Sequence, residues 1–247
     1  MNVILLCAGY ATRLYPLTEH RPKPLLPVAG KPIIEYIMKA CCDAVTVDGF
    51  YIVTNDKFAD TFEEWKKDCS GTVPIHVIND GTTSDTNKLG AIGDMAFAIE
   101  QGRLSGATLV VAGDNLFDFP LQPFFAFTQQ CPGEVVVGGY DVGDRELAKR
   151  YGILAVDDKG HVTSFVEKPA DPPSTFASLG LYYFSEHGRA LISEYLAGGG
   201  NKDQPGHYIK WLSENYTAYA YVFRGHWFDI GDMQSYEKAQ EFYHKKQ

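Results

Sequence analysis

VILLCAGYATRLYPLTEHRPKPLLPVAGKPIIEYIMKAC, residues 3–41, runs from an apolar stretch through a proline-rich loop into an amphipathic segment. Val3–Cys7 is short and continuously apolar, which predicts a buried strand. Pro32 stands at a favourable helix start, and Ile33, Ile34, Ile37, Met38 and Cys41 recur at helical spacing. Between them lie a small-residue turn (Ala8-Gly9-Tyr10-Ala11), Arg13, and Lys23 boxed by Pro22 and Pro24. Backbone N–H groups of Ala8–Thr12, a planar guanidinium and an ammonium at the end of a strand suit a phosphorylated anion. Prolines at 16, 22, 24, 27 and 32 hold the loop rigid, which argues against a merely solvated surface segment.

Outward from this stretch, strand-type runs alternate with helix-period segments. Phe50–Val53 is a strand, Phe58–Asp68 a helix with Phe62 and Trp65 on its apolar side, and Ile75–Ile78 a third strand. Leu89–Gln101 reads as a helix closed by Gly102, and Thr108–Ala112 as a fourth strand. This alternation predicts an α/β fold with a doubly wound sheet and ligands at the strands' carboxyl ends. After Pro120 the pattern changes. Glu134–Tyr140 and Leu179–Phe184 read as strands, and Gly152–Val156 with Val162–Val166 as a hairpin about Asp157-Asp158-Lys159-Gly160. Helices are expected at Glu186–Leu196, Tyr208–Glu214 and Gln234–His244, with a strand at Ala218–Phe223. The second half should therefore extend the sheet with antiparallel strands, giving a mixed sheet within one domain, 1–247.

Hydrophobic residues make up 45% and charged residues 21%, as in globular domains, and the net charge of −9 repels nucleic acid. Any phosphate site must then be a local basic pocket in an acidic body. The five cysteines include no C-x-x-C pair and read as free thiols. No basic n-region precedes the first apolar run, which is far too short to span a membrane, so a cytoplasmic protein is expected.

The opening loop is neither a Walker P-loop nor a G-x-G-x-x-G fingerprint. Gly113-Asp114-Asn115 follows the fourth strand, where a carboxylate points into the crevice and suits Mg²⁺. Trp227-Phe228-Asp229-Ile230-Gly231-Asp232 lies far along the chain, with Asp232 a natural N-cap for the last helix. Arg150-Tyr151-Gly152, Val166-Glu167-Lys168-Pro169 and Leu179-Gly180-Leu181-Tyr182 complete the set. Together with T-R-L-x-P-L-T, P-K-P-L-L-P-V and G-K-P in the loop, these segments resemble the sugar-1-phosphate nucleotidylyltransferases, the group of glucose-1-phosphate thymidylyl- and uridylyltransferases. The resemblance covers Met1 to about Tyr236.

The resemblance implies a Rossmann-like, GT-A-like fold with a nucleotide half, 1–120, and an antiparallel acceptor half, 121–247. It implies transfer of NMP from an NTP, dTTP or UTP, to a sugar-1-phosphate such as glucose-1-phosphate, forming an NDP-sugar and pyrophosphate. Asp114 and Asp229 would hold Mg²⁺. Ala8, Gly9, Tyr10, Ala11, Thr12, Arg13, Lys23, Asn79, Leu89 and Asp114 would contact the nucleotide; Tyr151, Gly152, Glu167, Lys168 and Gly180 would contact the sugar phosphate. Arg13, Lys23, Asp114 and Lys168 would carry the catalysis. Neither a nucleic-acid nor a membrane partner is expected, and a homo-oligomer is compatible with the family.

Three features depart from the pattern. Ala11 stands where the family usually has glycine, and alanine resists φ > 0, so a slightly reshaped loop is expected. Asn79–Gly90 is longer than the base-reading segment of hexose-1-phosphate members and is closer to the short cytidylyltransferases. A CTP-dependent enzyme acting on phosphocholine or a related acceptor is accordingly the alternative, with a non-catalytic sugar-nucleotide sensor as a second. Asn201–Trp211 lacks the usual E-x-T-D-like stretch, which leaves the acceptor sugar open.

Overall fold

The computed structural model describes residues 1–131 and 134–246. The chain opens with β1 (Asn2–Leu6), two short strands, β2 (Pro27–Val28) and β3 (Lys31–Pro32), then α1 (Ile33–Ala44) and β4 (Gly49–Thr54). Next come α2 (Ala59–Lys67), β5 (Ile75–Asn79), α3 (Ala91–Gln101), β6 (Thr108–Ala112) and β7 (Asn115–Phe117). The second half continues with α4 (Gln122–Thr128), β8 (Val135–Asp141), α5 (Arg145–Ala148), β9 (Gly152–Val156), β10 (Val162–Glu167) and β11 (Phe176–Phe184). It closes with α6 (Glu186–Ala197), α7 (Pro205–Asn215), β12 (Ala218–Phe223), β13 (Trp227–Asp229) and α8 (Met233–His244).

β1 pairs in parallel with β4 and β6, and β4 with β5, so the first half forms a parallel sheet. β11 is antiparallel to β6 and β9 and, along its other edge, to β8; β10 extends β9, and β12 lies parallel to β8. The mixed doubly wound sheet is as the alternation predicts. Along β1, Val3 and Leu5 pack with α1, α2, α4 and α8, whereas Ile4 packs with α3, α6 and α7. A central strand with helices on both faces must be apolar at every position, which is why its period-2 alternation is missing. The hairpin at 152–166 is present, with a bulge between Val162 and Ser164.

The short strands β2, β3, β7 and β13 and the helices α4 and α5 have no counterpart in the sequence reading. Strands of two or three residues carry no periodicity, and β7, at residues 115–117, pairs with β13, far along the chain at 227–229. Asp232 caps α8 as expected: its carboxylate accepts from Ser235 N at 2.8 Å, and Ser235 Oγ accepts from Asp232 N at 3.1 Å, a capping box. Asp118 ties three segments together. It accepts from His226 N and Nδ1 and pairs with Lys246 beyond α8 at 2.5 Å. No helix among the described residues is long and apolar enough to cross a membrane.

Candidate active site

A cleft runs across the carboxyl ends of β1 and β6. One half, about 270 Å³, is walled by Ala8, Gly9, Gly90, Ala91, Asp94 and Asp203 among others; it and the half beside it are called the nucleotide and acceptor halves after the roles the resemblance implies for them. The acceptor half, about 760 Å³, is walled by Arg13, Tyr151, Glu167, Lys168, Trp227 and Asp229 among others. Lys23, Asp114, Ala11 and Gly180 border both halves.

The two distant aspartates are brought together by a small antiparallel ladder. Gly113 N donates to Leu6 O at 2.9 Å, which turns the chain from β6 into β7. β7 then pairs with β13 so that Asn115 lies opposite Asp229, and Ile230 N donates to the carbonyl of Asp114. Trp227 Nε1 locks the ladder through a 2.6 Å bond to Oδ1 of buried Asn115. Residues two apart on a strand share a face. The Trp227 ring and the Asp229 carboxylate therefore both face the acceptor half.

Lys23 crosses beneath them. Its ammonium donates to Asp114 Oδ2 at 2.7 Å and to Ile230 O at 2.8 Å, pinning the proline loop to both strands. Burial and the nearby Asp114 carboxylate push Asp229 up to about 6, against the opposing pull of Lys23 and Arg13. Two facing carboxylates with only one close ammonium are short of positive charge. They fit a hard divalent cation such as Mg²⁺, which takes one or two carboxylates and fills its shell with water and phosphate oxygens. No cluster of three or more His, Cys, Asp or Glu side chains that could hold a metal occurs among the described residues.

The opening loop keeps its turn despite the missing glycine. Ala11 adopts φ 48 and ψ 41, in the left-handed region that alanine was expected to resist. Its carbonyl is held by Leu14 N at 3.0 Å and by Oγ1 of fully buried Thr18 at 2.7 Å. The following short 3₁₀ turn, Thr12–Leu14, presents Arg13 to the acceptor half.

In the acceptor half, Glu167 and Lys168 sit at the end of β10 with their charges 3.8 Å apart and both well exposed. Lys168 N bonds Tyr151 O at 3.0 Å, joining the two segments. Gly180 lies at φ 64 at the register break of β11, where a side-chain carbon would come within 2.9 Å of Ala112 Cβ. At Gly152 the side-chain space is filled by Phe165 and the Glu167 carboxylate, so its lack of a Cβ serves packing within the wall. Arg150 and Lys238 also border this half and were not foreseen as site residues. Lys238 lies on α8, whose amphipathic pattern gives no hint of a ligand.

Four predicted nucleotide contacts do not line either half. Tyr10 is buried and donates to Thr82 O at 3.2 Å. Thr12 begins the 3₁₀ turn and Leu89 lies before α3, outside both walls. Asn79 is committed elsewhere: its Nδ2 donates to Asp56 Oδ1 and its Oδ1 accepts from Gly81 N. In its place the nucleotide half presents Asp94, in the first turn of α3, which sequence reading missed because it looks like an ordinary acidic N-terminal helix residue.

The nucleotidyl transferase family model matches residues 2–246. The chain belongs to that family. The resemblance seen in the opening loop is thereby borne out. As a nucleotidyl transferase it is 28% identical over 94% of its length to the bifunctional protein GlmU of Methanocaldococcus jannaschii. It is 26% identical over 97% of its length to the glucose-1-phosphate adenylyltransferase of Clostridium novyi. The chain spans 51% and 65% of those two relatives, so about half to two thirds of their length. A crystal structure assigned as a glucose-1-phosphate thymidylyltransferase from Bacillus anthracis shares the fold with a TM-score of 0.79. That match covers 99% of this chain and 95% of the other at 21% identity.

Proposed function

We propose that the protein transfers a nucleoside monophosphate from an NTP to a sugar-1-phosphate, releasing pyrophosphate and forming an NDP-sugar. The observation that supports this reading is the continuous cleft in which a cationic loop, two facing aspartates and a Glu-Lys pair meet around Asp114 and Asp229. On this reading, residues 1–120 form the nucleotide half and 121–247 the acceptor half of one domain.

The attacking phosphate oxygen is already an anion, so the reaction needs no general base. Catalysis then rests on positioning and charge neutralisation. Lys168 and Arg150 hold the acceptor phosphate, and Glu167 accepts from a sugar hydroxyl. The aromatic faces of Trp227 and Tyr151, 5.1 Å apart, form an apolar wall suited to a hexose ring. Arg13 takes charge developing on pyrophosphate. Lys23 keeps Asp114 oriented and offers its remaining donor to the triphosphate. Asp114 and Asp229 would hold Mg²⁺, which, when bound, withdraws charge from the reacting phosphates.

The resemblance carries dTTP or UTP as donor and glucose-1-phosphate as acceptor. The aromatic wall suits a hexose face and a choline cation alike. It is the resemblance of the Glu167-Lys168-Pro169 and Tyr151-Gly152 segments that favours a sugar-1-phosphate over phosphocholine, whereas the acidic lining of the nucleotide half favours a base richer in donors than thymine or uracil. A pyrophosphate-release screen with Mg²⁺ tests the reading, pairing five NTPs with several sugar-1-phosphates and with phosphocholine. Release with a sugar-1-phosphate supports it; release only with phosphocholine, or with no pair, overturns it.

A further inference from the structure

Asp94 is 6% exposed and sits in the wall of the nucleotide half. No hydrogen-bond donor reaches its Oδ1, and Oδ2 of Asp80 is likewise buried without a donor. The Asp80 carboxyl lies close enough to act on Asp94, and one proton held between the two would satisfy both orphaned oxygens. Asp80 spends its other oxygen on the amide and hydroxyl of Thr82, both at 2.7 Å. Asp94 has no such outlet: among the described residues nothing donates to its second oxygen. That second oxygen is not sealed in the interior as Oδ1 is, so it is open to a donor from a ligand in the cleft.

The rest of that half has the same character. Asp85 and Asp203 stand in its wall, and Lys88 is tied to Asp203 at 3.0 Å. Lys23 is at the far end, engaged with Asp114. The wall across from α3 is the small-residue turn at Ala8 and Gly9, open enough for a flat ring. The nucleotide half is thus narrow, acceptor-rich and acidic away from the phosphates. Uracil and thymine present two carbonyl oxygens about one N–H, whereas cytosine, adenine and guanine each present an exocyclic amine. A carboxyl acceptor is repelled by the two carbonyl oxygens that flank the one N–H of the first pair and is matched by the amine of the second.

We propose that Asp94 is the base-selecting residue of this site, accepting a hydrogen bond from an exocyclic amino group, so that the nucleotide donor carries an amino-bearing base. The assignment rests on the nucleotidyl-transfer reading for the placement of the nucleotide.

The test measures equilibrium binding of CTP, GTP, ATP, UTP and dTTP by calorimetry, and kcat/KM for pyrophosphate release with each, for wild type and Asp94→Asn. Wild type should favour at least one of CTP, GTP and ATP over both UTP and dTTP by tenfold or more. The CTP, GTP and ATP arms identify which amine is read. Asp94→Asn, whose amide can donate to a carbonyl, should collapse that preference by about tenfold in both binding and kcat/KM. Preference for UTP or dTTP in wild type overturns the proposal, as does an unchanged ratio in a folded Asp94→Asn. Asp94→Ser serves as the second variant if the asparagine protein fails to fold, with the same ratio as readout. Base-selective binding without pyrophosphate release from any pair would support the role of Asp94 and count against the transfer reading.

Discussion

At Ala11 the backbone occupies a region that costs an L-residue about 1–2 kcal/mol, and it stays there because Leu14 N and Thr18 Oγ1 both grip its carbonyl. Ala11→Gly should remove that strain while adding freedom to the unfolded chain. A net gain of about 0.5–1 kcal/mol is expected by urea denaturation, because the strain term exceeds the entropy term. At Asp114 the expectation is functional. Asp114→Asn keeps the shape of the side chain but removes one of the two facing charges and weakens the Lys23 clamp. Pyrophosphate release should fall by at least 10²–10³-fold, by analogy with loss of a single stabilising group, while the far-ultraviolet circular dichroism is retained. An Asp114→Asn protein with near-native turnover would remove Asp114 from the machinery.

The β7–β13 ladder is the element that makes the site, and it is only three residues long on each side. Such a ladder lacks the backbone bonding to hold itself. Two side-chain clamps reinforce it: Trp227 Nε1 on Asn115 Oδ1, and Tyr243 OH on Phe117 O at 2.8 Å. Trp227→Phe deletes the first and leaves the Asn115 carbonyl oxygen buried without that donor. The cost should be about 1–3 kcal/mol in chemical denaturation. Since the ring also walls the acceptor half, KM for the phosphorylated acceptor should rise more than KM for the NTP in initial-rate measurements. Equal changes in both would show that the ladder acts only through overall stability.

Across the whole molecule, the acidic nucleotide half links stability to pH. Burial, then Asp80 and Asp203, push the Asp94 carboxyl up to about 7. Cys7 faces the same group, and its thiol is held well above its usual value by burial, then by Asp114 and Asp94. A raised carboxyl binds its proton more tightly when folded than when unfolded. Its contribution is therefore fully present below the unfolded pKa near 4 and is lost as pH rises through about 7. Asp94→Asn should be progressively more stable than wild type between pH 5 and pH 8. The difference should reach on the order of 2–4 kcal/mol in urea titrations, and a constant difference across that range would contradict the shared proton. The legible part of this protein is what short-range pattern controls. The parallel core follows from apolar runs such as Val3–Leu6 alternating with helix-period segments, and the Asp232 cap from a local side-chain to backbone geometry. The rigid, cationic character of the loop was also visible, because prolines, small residues and two cations lie in one stretch. The carboxyl wall at Asp94 was not. Asn79 carries the right amide for reading a base, yet the turn after β5 directs it to Asp56, while Asp94 reaches the cleft because α3 packs its first turn against β1. The same holds for Asp114 and Asp229, whose meeting depends on a three-residue register joining the two halves of the chain. Local propensity acts over a turn or a strand, whereas the convergence of distant carboxylates is set by sheet order and register, which arise only when the strands have packed.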